Sequence, residues 1–458
     1  MSDSKRDISR LYVGHLKALS PLHVGSGEYA ERGGVEGKAD GGGPPLVRLV
    51  ARDLASMACI PGTTLKGLLS RLMIDDEERK LLAGDIKAGR ASDDGDQGRM
   101  GALQVRGATL AAAGRMDDLP YVHRLDRGQV GDGIFIAARA AIDGDTGVAS
   151  DAKLFFQEMV VPATLFRFEV LAAPRRLDEL REVCVRLERA LAALGRPEGV
   201  ALGSGQADGF GRIKLEGPVT ITARAIDTTT GEVSDGAPRH VDLSPTPADA
   251  RVIDVAFRCD GPFLIADPSR GRQRLPDSDD ATASEPHLRP QRLEHDLPLV
   301  LGPSLSGALR SRAEWLAAVM KIGTDKTRVK VVRGRDVPGH PVDRLFGVTG
   351  FRGLLSVRSI TMERAAPWNV MSVKIDRFSG APIDNALFGT ETFIGVRFTA
   401  ALVVESRGKK ASPSPDDRAL LDQLLEDITD NGLQLGAGGN KGFGWFAAEV
   451  NSHADDRG

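Results

Sequence analysis

The chain repeats itself in fixed order, and a long internal repeat limits the possible folds more than any other feature of a sequence. Thr63–Arg71 reads TTLKGLLSR and Pro303–Ser311 reads PSLSGALRS, so Leu65, Gly67 and Leu69 fall on Leu305, Gly307 and Leu309. Gly101–Leu110 (GALQVRGATL) falls on Gly353–Met362 (GLLSVRSITM). In Ala141–Glu158 and Lys374–Glu391, Ile142, Asp143, Gly147, Asp151, Phe155 and Glu158 fall on Ile375, Asp376, Gly380, Asp384, Phe388 and Glu391. Leu202–Arg212 (LGSGQADGFGR) falls on Leu435–Trp445 (LGAGGNKGFGW). The last two blocks share a spacing of 233 residues. Chance supplies one such block easily, but not four in one order, so the chain is a duplication. Thr228–Ala250 is rich in Thr, Ser, Gly, Pro and Asp and reads as a linker. The expected division is a first domain over 1–227, a linker over 228–250 and a second domain over 251–458.

Each copy carries the same succession of apolar patterns. Leu11–Leu19 alternates apolar and polar residues, as a half-buried strand does. Leu65, Leu68, Leu69, Leu72 and Met73 have helical spacing and predict a helix over Leu65–Leu82, with Thr63 or Thr64 as its N-cap. Strands are expected at Ala102–Leu110, Thr164–Ala172 and Phe210–Thr222, with an amphipathic helix over Leu177–Leu194. The second copy repeats this with strands at Val252–Cys259, Leu354–Met362, Val396–Val404 and Gly444–Val450, and helices at Leu305–Met320 and Leu420–Ile428. The order βαββαβ is ferredoxin-like and RRM-like. The expected class is therefore α+β, with two tandem ferredoxin-like domains. Each has a long insertion, Ala111–Val161 or Glu363–Phe393, beyond the length of an ordinary connection.

Composition excludes several classes. With 41% hydrophobic residues and 27% charged, the 458-residue chain can build real cores. No apolar run nears the ~20 residues that span a bilayer, and Met1–Arg10 is polar, so a cytoplasmic protein is expected. Cys59, Cys184 and Cys259 stand apart in apolar stretches, which speaks for buried small side chains and against a zinc site. No Ser/His/Asp arrangement, Walker A or HExxH motif is present. The net charge of −3 argues mildly against a nucleic-acid binder, though a basic groove can sit on an acidic body.

Two motifs suit an anion. A Gly- or Ser-rich turn opening a helix presents unpaired N–H groups at the positive end of its dipole. Lys66 and Arg71 lie near the first opener, and Arg310 and Arg312 near the second. The glycine loops, with Gly203 and Gly205 in the first and Gly436 and Gly438 in the second, can approach a ligand closely and form a nest of N–H groups. Arg212 and Lys441 flank them. The competing readings are an N-cap for the openers and tight turns before edge strands for the loops.

Three signatures in fixed places carry a family resemblance: Leu22-His23-Val24-Gly25-Ser26-Gly27, Ile60-Pro61-Gly62-Thr63-Thr64-Leu65-Lys66-Gly67, and the glycine loop Gly203 to Arg212. The second copy keeps the opener as Gly302-Pro303-Ser304-Leu305-Ser306-Gly307 and the loop as Gly436 to Gly444. It has Pro262-Phe263-Leu264-Ile265-Ala266-Asp267 in place of the first signature. Together they resemble the RAMP (repeat-associated mysterious protein) superfamily, and within it the backbone subunits of type III CRISPR effector complexes, in a III-D or III-E-like fusion of two copies. The resemblance implies binding of guide RNA (crRNA) and target RNA. It also implies partners: a large polymerase-like subunit, a small subunit and neighbouring RAMP subunits, with no membrane.

The resemblance implies, further, that the insertions are thumb-like hairpins that flip out a base. Asp143 and Asp376 would then lie at their tips, and Phe155, Phe378 and Phe388 would serve as wedges. A loop aspartate of the family cuts target RNA with a divalent metal, Mg²⁺ or Mn²⁺. Glu36 stands where the family has that aspartate, Asp40 is a substitute catalytic and metal-binding residue, and the second loop offers Asp277, Asp279, Asp280 and Asp296. Each of these acids also reads as a solvated loop carboxylate. The readings left open are an endoribonuclease within the complex, a capping or scaffold subunit without chemistry, and a guide-processing endoribonuclease using His23.

Overall fold

The computed structural model describes residues 5–31, 46–73, 75–84, 100–114, 133–142, 149–245, 250–266, 288–290, 297–298, 300, 302–323, 337–348, 350–406 and 412–452. The first copy runs β1 (Lys5–Ala18), β2 (Gly25–Glu31), β3 (Leu46–Val50), β4 (Cys59–Ile60), α1 (Gly62–Arg71), α2 (Asp76–Ala83), β5 (Leu103–Ala112), β6 (Ile134–Ile142), β7 (Ala149–Val160), β8 (Leu165–Ala172), α3 (Leu180–Leu194), β9 (Val200–Ala201) and β10 (Arg212–Asp227). Strand β1 lies in the middle of the main sheet, antiparallel to β10 on one side and to β8 on the other, and β8 pairs with β5. The resulting order, β10-β1-β8-β5, is the ferredoxin-like one that the alternating pattern predicts. The alternation drives it: Tyr12 and Leu16 of β1 and Phe166, Phe168 and Val170 of β8 all face one core, under Leu65, Leu68 and Leu69 of α1 and Val183, Leu187 and Leu191 of α3.

The helix expected over Leu65–Leu82 is two helices. Pro61, not a threonine, stands before α1, and no side chain caps it. The break after Arg71 comes from Asp75, whose side chain accepts from the N–H of Glu78 at 2.7 Å and starts α2. A short carboxylate bonds its own chain more readily than it continues a helix. The segment read as a linker also carries structure. It holds β11 (Val233–Asp235) and β12 (Arg239–Val241), which both pair with the outer edge of β10.

The second copy repeats the plan with β13 (Ala250–Cys259), α4 (Gly302–Val319), α5 (Pro341–Phe346), β14 (Gly347–Val348), β15 (Phe351–Arg352), β16 (Leu355–Ile375), β17 (Pro382–Glu405), α6 (Pro415–Asn431), β18 (Leu433–Gln434) and β19 (Trp445–Ser452). Its sheet order is β16-β17-β13-β19, matching the first copy strand for strand. Its core is separate and more aromatic. Phe257 stacks on Phe398 at 4.8 Å between ring centres, and Phe446 meets Phe263 edge-on at 5.0 Å. Helix α6 begins in a capping box, with Ser414 and Asp417 each bonding the other's backbone N–H, and buried Asp417 also takes Arg344 Nε at 2.7 Å.

The copies differ in their insertions. In the second, β16 and β17 run unbroken from the sheet into a long antiparallel arm. In the first, the chain turns at Pro162-Ala163-Thr164, where Ala163 has φ +61, and the hairpin β6–β7 joins β2 and β3 in a sheet of its own, ordered β2-β3-β7-β6. Proline cannot donate to a ladder, and 233 residues on the second copy has Gly395, which bends at φ +60 while the strand continues.

Candidate nucleic-acid interface

The two glycine loops have the same internal geometry. In the first, the N–H of Leu202 bonds Gly211 O, that of Ser204 bonds His23 O, that of Asp208 bonds Gly205 O, and that of Gly211 bonds Pro21 O, at 2.7 to 3.0 Å. In the second, Leu435 bonds Gly444 O, Ala437 bonds Leu264 O, Lys441 bonds Gly438 O, and Gly444 bonds Pro262 O, all at 2.8 Å. Four glycines in each loop have positive φ, from Gly203 to Gly211 and from Gly436 to Gly444. These N–H groups are therefore occupied in holding the turn and are not offered to an anion. The first signature matters through its backbone: His23 and Pro21 supply carbonyls, and Leu264 and Pro262 supply the same ones in the second copy. That is why the side chains there differ between copies.

The surroundings of the two loops are not the same. The first is enclosed between the domains. A methyl group on Gly209 would lie 2.6 Å from the Val357 carbonyl oxygen, and one on Gly302 would lie 1.7 Å from that of Asp208. The loop thus sits between the first turn of α4 and β16. Charged groups surround this joint. Arg212 Nη2 is 4.0 Å from Glu405, which also takes Arg352 Nη2 at 2.8 Å, and Arg358 is 4.0 Å from Glu198. Arg71 bonds Ala201 O at 2.8 Å. Burial, opposed by Glu405 and reinforced by Arg352, lowers the pKa of the Arg212 guanidinium. Arg212 is 3% exposed, so of the basic residues expected near an anion it belongs to the joint between domains. This joint leaves no local pattern in the chain, since its two sides come from different copies.

The other expected basic residues divide. Arg310 bonds Gly347 O at 2.8 Å and pairs with Asp343 and Glu314, and Arg312 holds Asp427 at 2.7 Å over the Trp315 ring. Both brace α4 against α5 and α6. Lys66 is half-buried on α1, and Lys441 is exposed at the turn of the second loop.

The arm made of β16 and β17 ends in the motif expected at a hairpin tip. Asp376 Oδ1 accepts from the N–H groups of Phe378 and Ser379, both at 2.8 Å, and from Ser379 Oγ at 3.0 Å. These bonds hold its carboxyl below the usual carboxylate range. Phe378 is wholly exposed at the tip. Behind it Met371, Val373 and Ile375, with Leu387 opposite Val373, leave an apolar row open to solvent, and Phe388 is exposed on the other face. In the first copy Asp143 lies outside the described residues, while Phe155 is half-buried with Arg48 over its ring.

The candidate acids Glu36, Asp40, Asp277, Asp279, Asp280 and Asp296 lie outside the described residues. Among the described residues no group of three His, Cys, Asp or Glu side chains is gathered to hold a metal ion, so no step is derived through one. Glu36 and Asp40 fall between β2 and β3. A buried carboxylate that the sequence reading passed over anchors β3: Glu158 accepts from the Val50 N–H at 3.0 Å and pairs with Arg52 at 3.2 Å.

His23 is buried and its Nδ1–H donates to Glu158 O at 2.7 Å. Burial lowers its pKa. A base held neutral in the fold takes up protons more readily when unfolded. Acid should therefore weaken the fold as pH drops below about 6.5, the free imidazole value, with the loss ending once the folded-state pKa is passed. Above that pH the group contributes nothing to the pH dependence. Melting temperatures of the protein and of His23→Gln across pH 5 to 8 check this, and the variant should show the shallower slope.

A pair of ferredoxin-like domains, each with a glycine loop before its last strand and a β-hairpin insertion, defines a tandem α+β protein. The RAMP superfamily model matches residues 15–214 and 257–447, one match per copy, and the chain belongs to that family. The family is associated with CRISPR effector complexes and RNA binding. No curated protein matches the chain significantly. Among the described residues no helix is long and apolar enough to cross a membrane.

Proposed function

We propose that this chain is a guide-RNA-binding backbone subunit of a type III CRISPR effector complex, and that it also cuts complementary target RNA. The observation that carries the reading is the arm of β16 and β17 on a RAMP-family domain, with Phe378 wholly exposed at its tip. An isolated hairpin with an apolar face is marginal in water, so the arm is built to be covered. A nucleic-acid duplex covers such a surface when an aromatic tip enters between base steps. Sequence need not be read by the protein, because guide pairing supplies specificity. Partners in this reading are the guide and target RNAs, the large and small subunits and neighbouring RAMP subunits. Cleavage, with Mg²⁺ or Mn²⁺, would fall to the loop acids at 36, 40, 277, 279, 280 and 296.

The test is to purify the chain from its host and extract the nucleic acid. Short RNAs of uniform length are expected, and a preparation free of RNA and of other subunits overturns the reading. Labelled RNA complementary to the extracted guide, incubated with Mg²⁺ or with EDTA, then separates the parts. Mg²⁺-dependent cuts at regular intervals establish cleavage, and tight binding without cuts leaves a scaffold. Phe378→Ala should leave the melting temperature unchanged and weaken target binding about tenfold, the value of one lost base stack. 2-Aminopurine in the target, which brightens when unstacked, should lose its signal at one position only.

A further inference from the structure

Among the described residues the second glycine loop has the geometry of the first without its cover. Residue for residue at a spacing of 233, Arg212 corresponds to Trp445, Phe210 to Phe443 and Gly209 to Gly442. Arg212 is 3% exposed, and Trp445 is 56% exposed. Phe210 is buried, and Phe443 is only half-buried. A methyl group on Gly209 would strike the Val357 carbonyl at 2.6 Å, and one on Gly442 would meet no atom within 4 Å. The hydrogen bonds inside the two loops correspond pair by pair. The first loop therefore shows what a loop of this shape is made to receive.

We infer that the second glycine loop, Gly436 to Gly444 with Trp445, is the docking surface for a RAMP-fold unit of a different chain. What covers the first loop defines that unit. It presents a glycine at the first turn of a helix, because the loop carbonyl at Asp208 approaches Gly302 where any Cβ would stand. It presents a strand edge beside that helix, as Val357 of β16 does. Opposite Trp445 it is apolar, in place of the Glu405 that meets Arg212 in the first joint. A large half-exposed ring at the centre of such a surface is the usual anchor of an interface.

A second copy of this chain fits less well. Its first domain carries the corresponding slot, and there it is shut. A methyl group on Gly62 would already lie 2.4 Å from the Val105 carbonyl oxygen, and β4 closes over the gap by pairing with Thr109 and Ala108 of β5. The inference rests on the reading of the chain as one backbone unit among several.

The experiment uses the full chain in the complex purified from its host. The photo-crosslinker p-benzoylphenylalanine replaces Lys441, and cross-linked peptides are identified by mass spectrometry. The expected product is a peptide from the helix opener, or the strand after it, of another RAMP-family chain. A cross-link to guide RNA, to a peptide of this same chain or to nothing overturns the inference. Trp445→Arg, a surface change that leaves the core alone, should lower recovery of that neighbour at least about tenfold while the guide RNA content stays constant. Unchanged recovery overturns it as well. Loss of the RNA from the unsubstituted complex is a separate result, and it removes the functional reading whatever the joint does.

Discussion

Gly302→Ala should force the two domains apart. The added methyl would lie 1.7 Å from the Asp208 carbonyl oxygen, and the atom it meets is backbone, which has no rotamer to yield. Overpacking of this kind costs about 1–3 kcal/mol. Here the cost falls on the joint, so separation of the domains relieves it while each core survives. The expected result is a lower melting temperature and a larger radius in solution, with little change in helix content. Gly307→Ala is the control on the same helix. It meets no atom within 4 Å, so it should stabilise the protein by about 0.5–1 kcal/mol through reduced freedom of the unfolded chain. Equal effects from the two substitutions would show that the joint seen between Asp208 and Gly302 does not hold the domains together.

Glu158→Ala should be the most damaging change in the first copy, at about 3–5 kcal/mol. The carboxylate is fully buried, and its removal takes the acceptor from the Val50 N–H and the anionic partner from Arg52, whose guanidinium also donates to Ser56 O at 3.0 Å. The effect reaches beyond stability. Strand β3 is held at this point, and the segment with Glu36 and Asp40 runs into it from β2. If those acids cut target RNA, Glu158→Ala should lower first-copy cleavage even in protein that remains folded at low temperature. Urea denaturation measures the first effect. The Glu158→Met, Arg52→Met pair tests its cause, because removing both charges should cost clearly less than removing one. A double variant as unstable as the single one would show that packing, not charge, explains the loss.

The duplication, the element types and the ferredoxin-like order were legible in the sequence. Alternation in β1 and β8 and helical spacing in α1, α3 and α6 depend on a residue's own neighbours, and those neighbours stay the same in the fold. The hairpin tip at Asp376–Gly380 was legible for the same reason, since an Asx turn is closed by three consecutive residues. The break between α1 and α2 is also local, at Asp75, but the helical spacing of Leu65, Leu68, Leu69, Leu72 and Met73 ends before it and does not mark it.

Arg212 shows where such reading stops. In sequence it is a cation beside a glycine loop, as Lys441 is, and nothing nearby distinguishes them. The fold encloses one between the domains and leaves the other exposed, because helix α4 and strand β16 of the second copy reach the first loop. Likewise, no local pattern indicates that His23 acts through its carbonyl or that Glu158 holds β3, because the partners lie more than a hundred residues away in the chain. That there are two copies of one fold, and which faces of their elements are apolar, can be read along the chain, since both follow from short-range periodicity and the drive to bury apolar surface. Which of two like-built loops is a joint and which is open depends on atoms from distant segments meeting at van der Waals distance, so it comes into view with the folded chain.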